Sequence, residues 1–74
     1  MDVEVRSEVA GTVTRVQVSV GQDIAVGGSV VHVEAMKMDI PVSSPIAGLV
    51  REIRVAEGDP VAENQVVAIV GDDT

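Results

Sequence analysis

Seventy-four residues make at most one domain, spanning 1–74, and a chain this short buries only about 60% of its unfolded surface. It contains no Cys, which excludes a disulfide framework, a thiolate nucleophile and an Fe–S site, and no Phe, Tyr or Trp, so any core must be a thin one of Val, Ile, Leu and Ala. Five Lys+Arg against twelve Asp+Glu give a formal net charge of −7, which disfavours nucleic acid and anionic lipid as partners. Asp, Arg or Gln interrupts every apolar run well short of a membrane-spanning length. Met1-Asp2-Val3-Glu4 lacks the basic and apolar regions of a signal peptide, so the expectation is a cytoplasmic protein with no membrane association.

The β-branched composition predicts eight short strands and no helix, because no stretch shows sustained helical spacing with caps. The first four fall at residues 3–6, 11–16, 23–24 and 30–33. Val16, Val18 and Val20, separated by Gln17 and Ser19, predict one buried face. The second four fall at 39–41, 48–53, 60–61 and 66–70. Gly21-Gln22-Asp23 and Gly58-Asp59-Pro60 read as turns. Pro41, Pro45 and Pro60 have no amide donor and are excluded from central strand positions that need one.

Between the fourth and fifth strands lie Glu34-Ala35-Met36-Lys37-Met38. A chain doubling back here must turn at or near Met36-Lys37. Tight hairpins favour Asn, Asp or Gly, because their central residues take positive φ, and this turn has none of them. Local sequence chemistry that disagrees with the required shape marks a place where function is expected. An isolated lysine in a turn is ordinarily just solvated. One held out between two methionines looks like an attachment point.

The chain also repeats itself at a shift of 37 residues. Ser7-Glu8-Val9-Ala10-Gly11-Thr12-Val13 aligns with Ser44-Pro45-Ile46-Ala47-Gly48-Leu49-Val50. The register persists through Val18 and Val55, Gly21 and Gly58, Ile24 and Val61, Ala25 and Ala62, Val30 and Val67, and Val33 and Val70. Gly27 falls over Asn64, the other residue type that readily adopts a left-handed conformation. Turn positions repeat with the apolar ones, which argues against coincidence in a Val-rich chain.

Ala35-Met36-Lys37-Met38, preceded by Glu34, resembles the biotin-attachment motif of biotinyl domains, and the resemblance extends from about Val5 to Val70. In size the chain is nearest the free-standing single-domain biotin carriers; the same domain forms the carrier part of acetyl-CoA, propionyl-CoA and pyruvate carboxylases. The resemblance implies an all-β barrel-sandwich hybrid of two quasi-symmetric four-stranded halves, with Lys37 on a β-hairpin tip. Lys37 would carry covalent biotin, attached as an amide by a biotin protein ligase. Its ureido nitrogen would accept carboxylate at a biotin carboxylase and deliver it at a carboxyltransferase, the protein supplying the tether. Met36 and Met38 would contact the ligase and the carboxylase sites. Glu34 and Ala35 would complete the recognition motif, with Glu34 bearing on which ligase accepts the domain. The symmetry mate of Lys37 would be Thr74, placing the two termini together at the opposite end from the lysine. A monomer is expected.

Two departures and two alternatives bear on that reading. The segment from Val18 to Val30 leaves no room for the protruding thumb of some bacterial acetyl-CoA carboxylase carriers, and these 74 residues carry no Pro/Ala-rich linker or upstream domain. A lipoyl carrier would have the same fold, but lipoyl domains typically carry Asp-Lys-Ala where this chain has Met-Lys-Met. An unmodified interaction domain is the third possibility. Catalytic residues and metal ligands are not expected. Lys37 has no second cation nearby in sequence to activate it as a catalytic amine, and the lone His32 cannot assemble a metal site or a triad and reads as a strand-face residue. Asp72-Asp73 forms no general acid–base pair, and Gly27-Gly28 is too short for a phosphate loop.

Overall fold

The computed structural model describes residues 1–72. Among these every regular element is a strand: β1 (Asp2–Arg6), β2 (Gly11–Val16), β3 (Asp23–Ile24), β4 (Ser29–Ala35), β5 (Met38–Ser43), β6 (Gly48–Ile53), β7 (Pro60–Val61) and β8 (Val66–Gly71). They form two four-stranded antiparallel sheets, ordered β1-β8-β6-β3 and β5-β4-β2-β7. Each sheet takes two strands from each half of the chain. The repeat halves therefore interlock rather than forming one sheet each, and the fold is the expected barrel-sandwich hybrid.

The 37-residue repeat is a structural two-fold. All fourteen buried apolar residues fall into seven pairs at that shift: Val5 with Val42, Val13 with Val50, Val18 with Val55, Ile24 with Val61, Val30 with Val67, Val31 with Ala68, and Val33 with Val70. A Val-rich composition alone would not place every core residue in register. The turns obey the same relation. Gly21 and Gly58 both have φ of 91°, and Gly27 and Asn64 have φ of 82° and 69°. Gly21 donates its amide to Val50 and Gly58 donates to Val13, each at 2.7 Å. Each fully buried valine removes an apolar side chain from water, a gain of about 1.5–3 kcal/mol. Eight valines are buried this completely, and four further valines with Ile24 and Ala68 complete a core that closes without a single aromatic ring.

The prolines sit where their missing amides do no harm: Pro41 and Pro60 on the edge strands β5 and β7, and Pro45 between strands. One expectation does not hold. Val16, Val18 and Val20 do not share one buried face: β2 ends at Val16 as expected and Val18 is buried, but Val20 is 62% exposed. Here the Gly21 amide bonds across to Val50, and the chain is already turning toward β3. The pairing of β4 with β5 has as its symmetry mate the pairing of β8 with β1, so Asp2 lies opposite Gly71 and the Met1 ammonium is 3.2 Å from Asp72. Thr74, the expected mate of Lys37, lies outside the described residues.

Candidate functional site

β4 and β5 are both longer than their composition predicts, and their ladder runs out to the pair Ala35–Met38. Only Met36 and Lys37 remain to make the turn, with φ of 53° and 64°. Positive φ at both central residues defines a type I′ turn, whose twist matches that of the strands it joins. Neither residue favours it, and a left-handed non-glycine residue costs on the order of 1–3 kcal/mol. The pairing beneath holds the turn in place: Val31, Val33 and Val42 are in the core, and Gly11 of β2 lets the backbone of β4 come close. A Cβ at Gly11 would clash with the Glu34 carbonyl.

The tip presents Lys37 to solvent. Met36 is 95% exposed and Met38 is 64% exposed. The Lys37 ammonium makes no hydrogen bond or ion pair with any described residue. The other motif residues divide between the two faces of the hairpin, since neighbours on a strand point opposite ways. Ala35 shares a face with Val33 and the core. Glu34 shares the outer face with His32, and is paired in the ladder with Thr12 on one side and Asp39 on the other.

That outer face carries a polar network the strand reading of His32 did not include. His32 is indeed on a strand face, but its Nδ1 lies 2.9 Å from Asp39 Oδ2. The Thr14 hydroxyl donates to Asp39 Oδ1 at 3.0 Å and lies 3.3 Å from the His32 carbonyl. Residues from β2, β4 and β5 are thus tied together close below the turn. The Thr14 hydroxyl holds the Asp39 carboxyl below the usual carboxylate range, against the opposing effect of desolvation and helped by the His32 contact and the Arg15 charge. A depressed carboxylate stabilises the fold above its unfolded value, about 3.9, and that contribution fades as the pH falls through the lower folded value. Asp39→Asn should therefore lower the melting temperature near neutral pH, and the deficit should shrink as the pH falls below about 3.9. Thermal melts of both proteins across this range check it; a deficit independent of pH would contradict the assignment.

The inner face opens at the tip into a groove of about 340 Å³. Its floor is apolar, made by Val9, Ala10, Ala35, Ile40 and the two motif methionines, and Glu8 and Glu63 complete its lining. Two turns from opposite ends of the chain meet to build it. The Ser7 amide donates to the Gln65 carbonyl at 2.9 Å, and the Asn64 amide returns a bond to the Ser7 carbonyl at 2.7 Å. The buried Ser7 hydroxyl donates to Val9 at 2.6 Å and fixes the intervening bend.

Two interlocked sheets thus present, among the described residues, one unpartnered lysine on a strained two-residue turn. The family model described as biotin-requiring enzyme, the biotin/lipoyl family, matches residues 3–70, and the chain belongs to that family. Among solved structures it is similar to a segment of the Kluyveromyces lactis urea carboxylase, with TM-score 0.92 and 28% identity over 96% of this chain and 6% of that one. It is likewise similar to part of a single-chain, multi-domain long-chain acyl-CoA carboxylase, with TM-score 0.89 and 29% identity over 99% of this chain and 7% of that one. The chain thus spans well under a tenth of the length of these carboxylases. No curated protein matches it by sequence.

Proposed function

We propose that this chain carries biotin covalently on Lys37 and serves as the mobile carboxyl carrier of a biotin-dependent carboxylase. The observation that carries the reading is the turn itself. The chain's single lysine occupies an exposed I′ position in a left-handed conformation that costs free energy, where Asn-Gly would be the easier choice. The site suits an amide-linked arm, because acylating Lys37 breaks no contact within the described residues and the tip has apolar surface beside it. Bound biotin would supply a ureido nitrogen able to take up and release a carboxyl group. The protein's own residues contribute presentation: the I′ turn aims the lysine outward, the valine ladder keeps the tip from fraying, and tethering raises the local concentration of the arm at each partner site. The partners proposed are a biotin protein ligase, a biotin carboxylase and a carboxyltransferase, with the chain acting as a non-catalytic component. Intact mass after co-expression with a biotin ligase tests this. A biotinyl increment is expected; a lipoyl increment would assign the other cofactor of the family, and an unchanged mass would leave an unmodified domain.

The methionines give a separable expectation. Met36→Leu with Met38→Leu keeps volume and hydrophobicity, so the fold should lose less than about 1.5 kcal/mol. Leu lacks the unbranched, polarizable reach of Met. The double variant should fold and accept biotin, yet turn over more slowly with a partner carboxylase. Unchanged turnover would mean that the methionines are surface filler.

A further inference from the structure

The two-fold exposes an asymmetry at the groove. Its apolar wall repeats, with Val9 and Ala10 matched by Ile46 and Ala47 at the 37-residue shift. Its carboxylates do not: the mates of Glu8 and Glu63 are Pro45 and Val26. The fold therefore has no need of acids at these two positions, although the far end carries an acid of its own in the sequence mate of Ala35, Asp72. Neither Glu8 nor Glu63 makes a hydrogen bond or ion pair with any described residue.

Resting on the biotin assignment, we propose that this groove is the seat of the arm's own head group when it is not engaged by a partner, with Glu8 and Glu63 accepting hydrogen bonds from the ureido N–H donors. The chemistry is complementary. The bicyclic head has an apolar thioether side, which fits the floor of Val9, Ala10, Ala35 and Ile40, and two neutral N–H groups, which suit carboxylate acceptors. The volume of about 340 Å³ is at the small end of the roughly 300–1,000 Å³ of small-molecule pockets. Met36 and Met38 both line the groove, so the lysine between them stands at its lip and a long unbranched tether folds back into it. The walls are already held by the reciprocal Ser7–Gln65 and Asn64–Ser7 backbone bonds, so seating the ring requires no rearrangement of the body. An open groove with acceptors at its edge gives a weak seat, one a partner site can empty.

The test compares amide NMR spectra of the unmodified and fully biotinylated chain, with modification verified by mass. Absence of the mass increment would overturn the biotin assignment itself. Given complete modification, shift changes are expected at Val9, Ala10, Ile40 and Glu63 as well as at the tip. Changes confined to residues 35–38 would overturn the seat while leaving the carrier assignment standing. Glu8→Gln with Glu63→Gln, its modified fraction purified on avidin resin, should at least halve the changes at Val9 and Ala10, because an amide accepts more weakly than a carboxylate. Undiminished changes there would remove the acids from the proposal. Changes that grow with protein concentration would mean that a second copy occupies the groove, and would overturn self-docking.

Discussion

Lys37→Arg should abolish biotinylation completely and leave the fold as it is. The substitution keeps the cation and a long flexible stem at a position that is exposed and without partners, where changes rarely exceed about 0.5 kcal/mol. It removes the only side-chain amine in the chain, since the remaining cations are Arg6, Arg15, Arg51 and Arg54. A guanidinium stays protonated and does not form the amide. Streptavidin blotting after co-expression with a ligase reads the result directly, and any binding by the arginine variant would refute Lys37 as the site. The wild-type chain carries an internal control. Acylation removes one positive charge, taking the formal net charge from −7 to −8, so modified protein should run further toward the anode on a native gel.

Most of the frame was legible because it is written twice. A single glycine in a short chain is ambiguous, but Gly21 with Gly58 and Gly27 with Asn64 repeat at a fixed shift, and all four adopt positive φ. The expected strands lie within or match those observed, and the largest error in extent lies at the hairpin, where β4 and β5 reach Ala35 and Met38. The cause is the turn. With no Asn or Gly at Met36-Lys37, local chemistry gives no sign that the ladder closes so tightly. The turn itself falls where the sequence puts it, since Met36 and Lys37 are the two residues held left-handed.

What the sequence hid are contacts between residues far apart in the chain. Thr14 meets Asp39, and the bends at Ser7–Ala10 and Ala62–Gln65 lock together, through registers that shift at bulges such as the one between Val13 and Arg15. One-dimensional alternation cannot anticipate a bulge, nor a chain that leaves the sheet after Val16 and turns toward β3, which is why Val20 lies outside. The acids of the groove did leave a trace. Comparing the halves sets Glu8 against Pro45 and Glu63 against Val26, so neither acid has an acidic mate.

Moving the lysine by one residue, as Lys37→Met with Met38→Lys, should nearly eliminate modification in the folded domain. The two positions are adjacent in sequence but belong to different environments. Residue 37 is the second residue of the turn, with φ of 64°, and projects from the tip. Residue 38 is the first residue of β5, paired with Ala35 and lining the apolar groove. An amine there is drawn back along the inner face toward Glu8 and Glu63, and a ligase pocket shaped to receive a tip residue would find a methionine in its place. The composition of the hairpin is unchanged, so stability should alter little and the loss cannot be put down to unfolding; a thermal melt verifies that. The same double variant in urea-unfolded form, or as an isolated peptide, provides the contrast. Efficient labelling of the shifted lysine in the folded domain would mean that the ligase reads a flexible stretch of chain, and the strained turn at Met36-Lys37 would then need a different explanation.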